Sequence, residues 1–323
     1  MYAQQLTATS GPSGVRLVEI DEPEGNGLVV VDLHAAGVSF PDLLQTTGSY
    51  QMVRELPFVL GSEGAGVVRS APEGSGFAAG RRVAVLAVGG AWQQTVAVPA
   101  QLVFPLPDSV SLEAGAGFLL NYLTVHFALD ERARYRPGET VLVHGAAGGV
   151  GVAALQVAAA LGLETIAVVS SEEKAKTALA QRATHAVLVE GWKDRVREIT
   201  GGRGVDIILD PVGGDRVTDS LRSLAPGGRL VVLGFTGGEI PTVKVNRLLL
   251  RNISVVGAGW GEYVGTDPGY PARQWAALAP LLDSGDLQIA EPTLYPLANA
   301  GDALRALETR TATGKIVLSL RTS

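Results

Sequence analysis

Over roughly the first 118 residues the hydrophobic positions fall in short β-branched runs, at 15–20, 28–33, 64–68, 82–88 and 94–98. Gly and Pro turns break these runs every ten residues or so, which predicts short antiparallel strands in a barrel-like module. From 119 to 258 the rhythm changes. Continuously apolar runs at 140–144, 165–169, 186–189, 206–209, 230–233 and 253–256 alternate with helical patterns at 149–161, 172–180, 193–200 and 215–224. Fully apolar strands joined by helices predict a parallel sheet covered on both faces, and six in this order fit a doubly wound α/β domain. The remainder, 259–323, carries helical patterns at 272–283 and 300–308 and a closing strand at 315–320. It is too short for a domain of its own and is expected to pack back on the first module.

Composition narrows the chemistry. The chain of 323 residues has no cysteine, so no disulfide, Fe–S cluster, thiolate nucleophile or Cys-ligated zinc is available. With 26 Lys and Arg against 32 Asp and Glu the net charge is −6, which argues against nucleic acid or an anionic membrane as partner. The N-terminal residues lack the basic and apolar segments of an export signal. The apolar stretch 150–161 is interrupted by Gln156 and is too short for a membrane span. A cytoplasmic protein is expected. Glycine, at 41 positions, exceeds the usual share of about 7%.

Part of that excess is concentrated between the strand at 140–144 and the helix after it. There the chain reads Gly145-Ala146-Ala147-Gly148-Gly149-Val150-Gly151. The first glycine permits a sharp strand-to-helix turn, and the next ones let backbone approach a pyrophosphate. The helix N-terminus then presents free N–H groups and a partial positive charge to the phosphates. In this strand–turn–helix setting the turn predicts a dinucleotide site of the Rossmann type. NAD sites usually close the next strand with Asp or Glu, which accepts from the ribose 2′-OH. Here Val169 is followed by Ser170 and Ser171, with Lys174 one turn on. Hydroxyl donors and a cation suit a 2′-phosphate, so NADPH is the expected cofactor. The bland alternative is a helix cap with a solvated lysine.

Several segments together resemble the medium-chain dehydrogenase/reductase superfamily, over nearly the whole chain and in the right order. Ala35-Ala36-Gly37-Val38-Ser39-Phe40-Pro41-Asp42, continuing to Gly48-Ser49-Tyr50, resembles the active-site segment of quinone oxidoreductases. Gly61-Ser62-Glu63-Gly64-Ala65-Gly66-Val67 is similar to the superfamily's G-x-E-x-x-G-x-V stretch. Asn121-Tyr122-Leu123-Thr124, Asp210-Pro211-Val212-Gly213-Gly214, Gly227-Gly228-Arg229 and Thr313-Gly314-Lys315-Ile316-Val317 match further motifs. Zinc-dependent members take ligands from a Cys and a His where this chain has Ser39 and Ser62, and serine hydroxyls do not replace thiolate and imidazole on zinc. His34, His126, His144 and His185 show no ligand spacing and are read as structural. Arg182 stands where relatives usually keep glycine.

The resemblance therefore implies the zinc-free, zeta-crystallin-like NADPH:quinone oxidoreductase subfamily. Its fold would be a GroES-like, strand-rich catalytic domain (1–118), a Rossmann domain (119–258) and a C-terminal return to the first (259–323). It implies hydride transfer from NADPH to a quinone or α,β-unsaturated carbonyl, with an enoyl-thioester reductase or a non-catalytic NADPH-binding protein as alternatives. On the acceptor side it implies Tyr50 as donor and Ser39 beside the nicotinamide ribose or substrate, with Asp42 and Glu63 as polar supports or Asp42, which follows Pro41, only as the end of a turn. On the cofactor side it implies Asn121 and Thr124, the turn from Gly145 through Ala147, Gly148, Gly149 and Val150 to Gly151, Ser170, Ser171, Lys174, Gly234, Phe235 and Lys315. Trp260 and Tyr263 stand in a stretch that either walls the pocket or packs as loop. The apolar last strand of the sheet, within 252–259, has an open edge that predicts a homodimer.

Overall fold

Chain stiffness at β-branched positions sets the first unit's framework. The structure, a computed structural model, describes residues 1–87 and 90–321; residue 88, the end of the strand expected over 82–88, lies outside them. The chain divides into two compact units: Met1–Asn121 with Gly269–Asp283 and Ile289–Ser323, and Tyr122–Pro268 with Ser284–Gln288.

In the first unit β1 (Tyr2–Leu6), β2 (Val15–Glu19), β3 (Val29–Val38), β4 (Phe58–Val59), β5 (Glu63–Ser70), β6 (Arg82–Leu86), β7 (Thr95–Val98) and β8 (Val103–Pro105) follow along the chain. β1 lies between β2 and β4 in a small antiparallel sheet. β3 runs beyond the expected 28–33, because Ala35, Ala36 and Val38 continue its buried side, and it pairs antiparallel with β5 and β7. Leu6, Leu33, Leu60, Trp92 and Leu304 are among the side chains filling this unit's core. Within the strand-rich stretch a short helix, Phe40–Thr46, interrupts the β pattern. Its start is spelled by Ser39 at the N-cap, Pro41 in the first turn and Asp42 at N3.

The second unit holds β9 (Thr140–His144), β10 (Glu164–Val169), β11 (His185–Leu188), β12 (Val205–Asp210), β13 (Leu224–Val232) and β14 (Ser254–Gly257). All pair in parallel, in the order β11-β10-β9-β12-β13-β14. This is the doubly wound Rossmann order, whose direction reverses between β9 and β12. Helices Gly149–Ala160, Glu172–Ala180, Trp192–Ile199, Val217–Ser223 and Asn246–Arg251 connect successive strands. The helix expected over 215–224 is shorter, since Leu224 already starts β13. The stretch expected as loop after 259 forms a helix at Trp260–Thr266, with Trp260 buried and Tyr263 packed on Phe127 at 4.9 Å. Gln156 sits buried in its helix because it is bonded on both sides: it accepts from the Tyr122 hydroxyl and donates to Gln181 at 2.6 Å.

The chain then returns. β15 (Thr293–Pro296) and β16 (Ile316–Ser319) join the first unit's larger sheet, β16 antiparallel to β3, giving the order β15-β16-β3-β5-β6-β8. This return matters for chemistry, because it carries Lys315 to the start of β16, next to β3 and the residues that follow it.

Candidate active site

Two sites of different construction emerge, one in each unit. In the second unit the C-terminal ends of the parallel strands carry the residues expected for a dinucleotide. Gly145 leaves β9 at φ +60°, a left-handed conformation that favours glycine. Gly148 is the N-cap of the next helix, so the amides of Gly149, Val150 and Gly151 have no partner within that helix. A Cβ on Gly151 would lie 2.3 Å from the Gly145 carbonyl oxygen, so this glycine lets the helix pack onto its own turn. A Cβ on Gly148 would meet only the Gly145 oxygen, at 3.4 Å, leaving its other sides open. No acidic residue stands in the helix's first turn to compete with a phosphate. These features fit a pyrophosphate.

The neighbouring strand ends complete the edge. After β10, Ser170 is exposed, while Ser171, rather than Ser170, caps the following helix by accepting from the Lys174 amide at 3.3 Å. After β12, buried Asp210 accepts from the amides of Val212 (2.8 Å) and Gly213 (2.9 Å). Burial pushes its pKa up while those two amides pull it down. The loop so formed is bonded to the one after β13: the Pro211 and Val212 carbonyls accept from Thr236 (3.0 Å) and Gly237 (2.8 Å). That pairing holds Gly234 and Phe235 at the sheet's edge, with Phe235 packed so close to Gly213 that a Cβ there would come within 2.8 Å. His144, the last residue of β9, is wholly buried against Trp192 and lies 2.9 Å from the Ser220 hydroxyl. Ser220 in turn donates to the Arg216 carbonyl, so the His144 Nε2–H donates to Ser220. Burial, then the Arg216 charge, lowers its pKa to about 3, so the ring is neutral.

In the first unit the site is made of side chains. Lys315 Nζ donates to Glu63 Oε1 at 2.5 Å and to Ser39 Oγ at 2.9 Å. Glu63 Oε2 accepts from the Leu120 amide at 2.7 Å, and Asp42 Oδ2 accepts from the Ser39 amide at 2.8 Å. Glu63 is 1% exposed and Asp42 0%. Burial, only partly offset by the Ser39 amide and the Lys315 charge, pushes Asp42 up to about 7. Two glycines make room for the ion pair. A Cβ on Gly37 would fall 2.6 Å from Glu63 Oε1, and one on Gly117 would fall 2.6 Å from Lys315 Cγ.

Ser39 and Lys315, expected on opposite sides of the chemistry, are thus in direct contact. Tyr50 is half-buried in the turn region after helix Phe40–Thr46, and Asn121 (buried) and Thr124 (half-buried) share helix Leu119–Phe127, three residues apart. The Glu63–Lys315 pair was not foreseen. The available signal was a lone carboxylate inside a buried strand, which demands a partner; that partner lies 252 residues away. Among the described residues no group of three or more His, Cys, Asp or Glu gathers as a metal site.

The chain is similar to known proteins along most of its length. Residues 25–108 match the family described as alcohol dehydrogenase GroES-like domain, and residues 149–283 match the one described as zinc-binding dehydrogenase. The quinone oxidoreductase-like protein 2 of Rattus norvegicus is 37% identical, covering 93% of this chain and 87% of its own. The quinone oxidoreductase of Thermus thermophilus, solved also with NADPH, is 37% identical with a TM-score of 0.85, covering 99% of this chain and 100% of that one. The Escherichia coli quinone oxidoreductase complexed with NADPH is 31% identical with a TM-score of 0.88, again covering 99% and 100%. With Ser39 and Ser62 at the positions where zinc-dependent relatives hold their ligands, the chain belongs to the zinc-free quinone oxidoreductases of the medium-chain dehydrogenase/reductase family.

Proposed function

We propose that the protein is an NADPH-dependent oxidoreductase whose acceptors are quinones or α,β-unsaturated carbonyls. When bound, NADPH supplies the hydride. The carrying observation is the open glycine turn at the strand-order reversal, combined with a β10 end free of carboxylate. The amides of Gly149, Val150 and Gly151 hold the pyrophosphate, with Gly145, Ala147 and Gly148 keeping side-chain bulk away from it. Ser170, Ser171 and Lys174 take the 2′-phosphate. Backbone groups of Gly234 and Phe235 hold the carboxamide, and Asn121 and Thr124 approach the nicotinamide half. Tyr50 and Ser39 serve the acceptor's oxygen. Orientation and a hydrogen bond to that oxygen are enough for such acceptors, which need no Lewis acid to take a hydride.

A cytoplasmic homodimer belongs to the same proposal. The dimer is supported by the outer edge of β14, which pairs with no strand among the described residues, and by the apolar side chains exposed on the segment leading to it. Ile240, Val245, Leu249 and Leu250 are each more than 70% exposed. Sedimentation at micromolar concentration is expected to give a dimer, and a Leu249→Glu/Leu250→Glu variant a monomer; a wild-type monomer contradicts it.

Spectrophotometric oxidation of NADPH against a panel of quinones and enones tests the activity. Acceptor-dependent oxidation is expected, with NADPH preferred over NADH about tenfold or more and the preference reduced by Lys174→Ala. NADPH binding without turnover of any acceptor would overturn the activity, and equal efficiencies with the two nucleotides would overturn the cofactor assignment.

A further inference from the structure

The first unit's ion pair does more than fill space. Ser39 has its N–H tied to Asp42 and its Oγ accepting from Lys315, which leaves the hydroxyl hydrogen itself. That hydrogen is donated to none of the described residues, although Ser39 is only 7% exposed. A buried hydroxyl whose own proton is uncommitted, and whose oxygen is backed by an ammonium, is arranged to give a proton and regain one. Lysine suits the second role because its proton can leave, whereas a guanidinium stays charged. Glu63, itself held by the Leu120 amide, fixes the ammonium, and Gly37 and Gly117 leave space for both arms.

We propose that Lys315 is the proton reservoir behind Ser39: the Ser39 hydroxyl protonates the acceptor's oxygen, and Lys315 restores that proton through its bond to Oγ. The proposal rests on the reading that Ser39 faces the acceptor, and it moves Lys315 from the cofactor side to the acceptor side. The acceptor gains a hydride originating from the nicotinamide cofactor, and its π electron pair moves onto the carbonyl oxygen. An O–H bond forms there as the Ser39 O–H bond breaks. Lys315 Nζ–H then breaks as Ser39 O–H re-forms, and the resulting amine takes a proton from water. Net, NADPH, one proton and the acceptor give NADP⁺ and the reduced acceptor. Lys315 acts through Ser39 and is therefore a positioning and proton-supplying residue.

The test measures NADPH dissociation by fluorescence, kcat with one quinone and one enone, and the solvent deuterium isotope effect on kcat. It uses wild type, Lys315→Met and Lys315→Arg. Lys315→Met is expected to keep the NADPH Kd within about twofold, to lower kcat about a hundredfold and to raise the solvent isotope effect. Lys315→Arg keeps charge and hydrogen bonding, and kcat is expected to stay low. Because Lys315→Met leaves Glu63 buried without its partner, Glu63→Gln/Lys315→Met is measured beside it and is expected to show the same low kcat with NADPH binding retained. A Kd raised tenfold at unchanged kcat would make Lys315 a cofactor ligand and overturn the proposal. So would recovery of kcat in Lys315→Arg, or a double variant as fast as wild type. A wild type that binds NADPH and reduces no acceptor overturns the functional reading, and this proposal with it.

Discussion

The two halves of the chemistry are built from opposite materials. In the second unit the proposed phosphate site is backbone: glycines at 145, 148 and 151, the first amides of one helix, and two loops laced by main-chain hydrogen bonds. Its buried titratable side chain at the end of β9, His144, is held neutral. In the first unit the site is side-chain charge: Lys315 and Glu63 paired, with Ser39 and Asp42 alongside. A backbone site needs little desolvation of ions and depends on the absence of Cβ atoms. A charged cluster is costly to bury and depends on every partner being present.

That contrast can be broken experimentally. Glu63→Gln or Lys315→Met alone is expected to cost about 3–5 kcal/mol in chemical denaturation, because each leaves a charge buried and unpaired. The double neutral variant should recover much of this. If the single variants melt like wild type, the pair is not buried as described. Gly151→Ala is expected to cost about 2–3 kcal/mol and to weaken NADPH about tenfold or more, since its Cβ would meet backbone at 2.3 Å. A neutral result there removes the steric account of the turn.

Proton linkage sharpens the contrast, because the two units should respond to pH with opposite signs. Asp42 binds a proton more tightly folded than unfolded, so its contribution is present in acid and lost as pH rises towards its folded value of about 7. Asp42→Asn should therefore flatten the fall in stability between pH 5 and 7, a difference of about 2 kcal/mol. His144 binds a proton less tightly folded, so its contribution is present above pH 6.5 and lost as pH falls towards 3. His144→Gln should flatten the acid side between pH 6.5 and 4.5 by a similar amount, about 2 kcal/mol. Two variants shifting stability in the same direction would contradict the assignment. The smallest effect concerns Arg182, which sits at φ +73°, a left-handed conformation that favours glycine, with its side chain bonded to the Asp286 carbonyl. Arg182→Gly should gain less than about 1 kcal/mol, relief of backbone strain being offset by that lost bond.

The same contrast explains what could be read from the chain. The glycine turn is contiguous, and its strand and helix neighbours are spelled by unbroken apolar runs, so 140–151 was legible almost to the residue. The charged cluster was not. Its members stand at 39, 42, 63 and 315, and no local pattern ties a carboxylate in β5 to a lysine 252 positions later. Asp42 looked like the end of a turn because Pro41 precedes it, yet it is the N3 residue of a helix. Likewise β1 carries Gln4 and Gln5 among few apolar residues, so only its pairing with β2 makes it a strand. The helix Asn246–Arg251 escaped because Leu249 and Leu250 project outwards, against the rule that apolar positions mark the buried face.

The central claim is a division of labour: backbone in the second unit holds the cofactor, and charge in the first serves the acceptor. It is tested most directly by measuring NADPH Kd and quinone-dependent kcat side by side for Gly151→Ala and Glu63→Gln/Lys315→Met. The account predicts that the glycine variant chiefly weakens NADPH binding, about tenfold or more, while the double variant keeps Kd within about twofold and loses about a hundredfold in kcat. Equal losses in both quantities for both variants, or the reverse assignment, would contradict it.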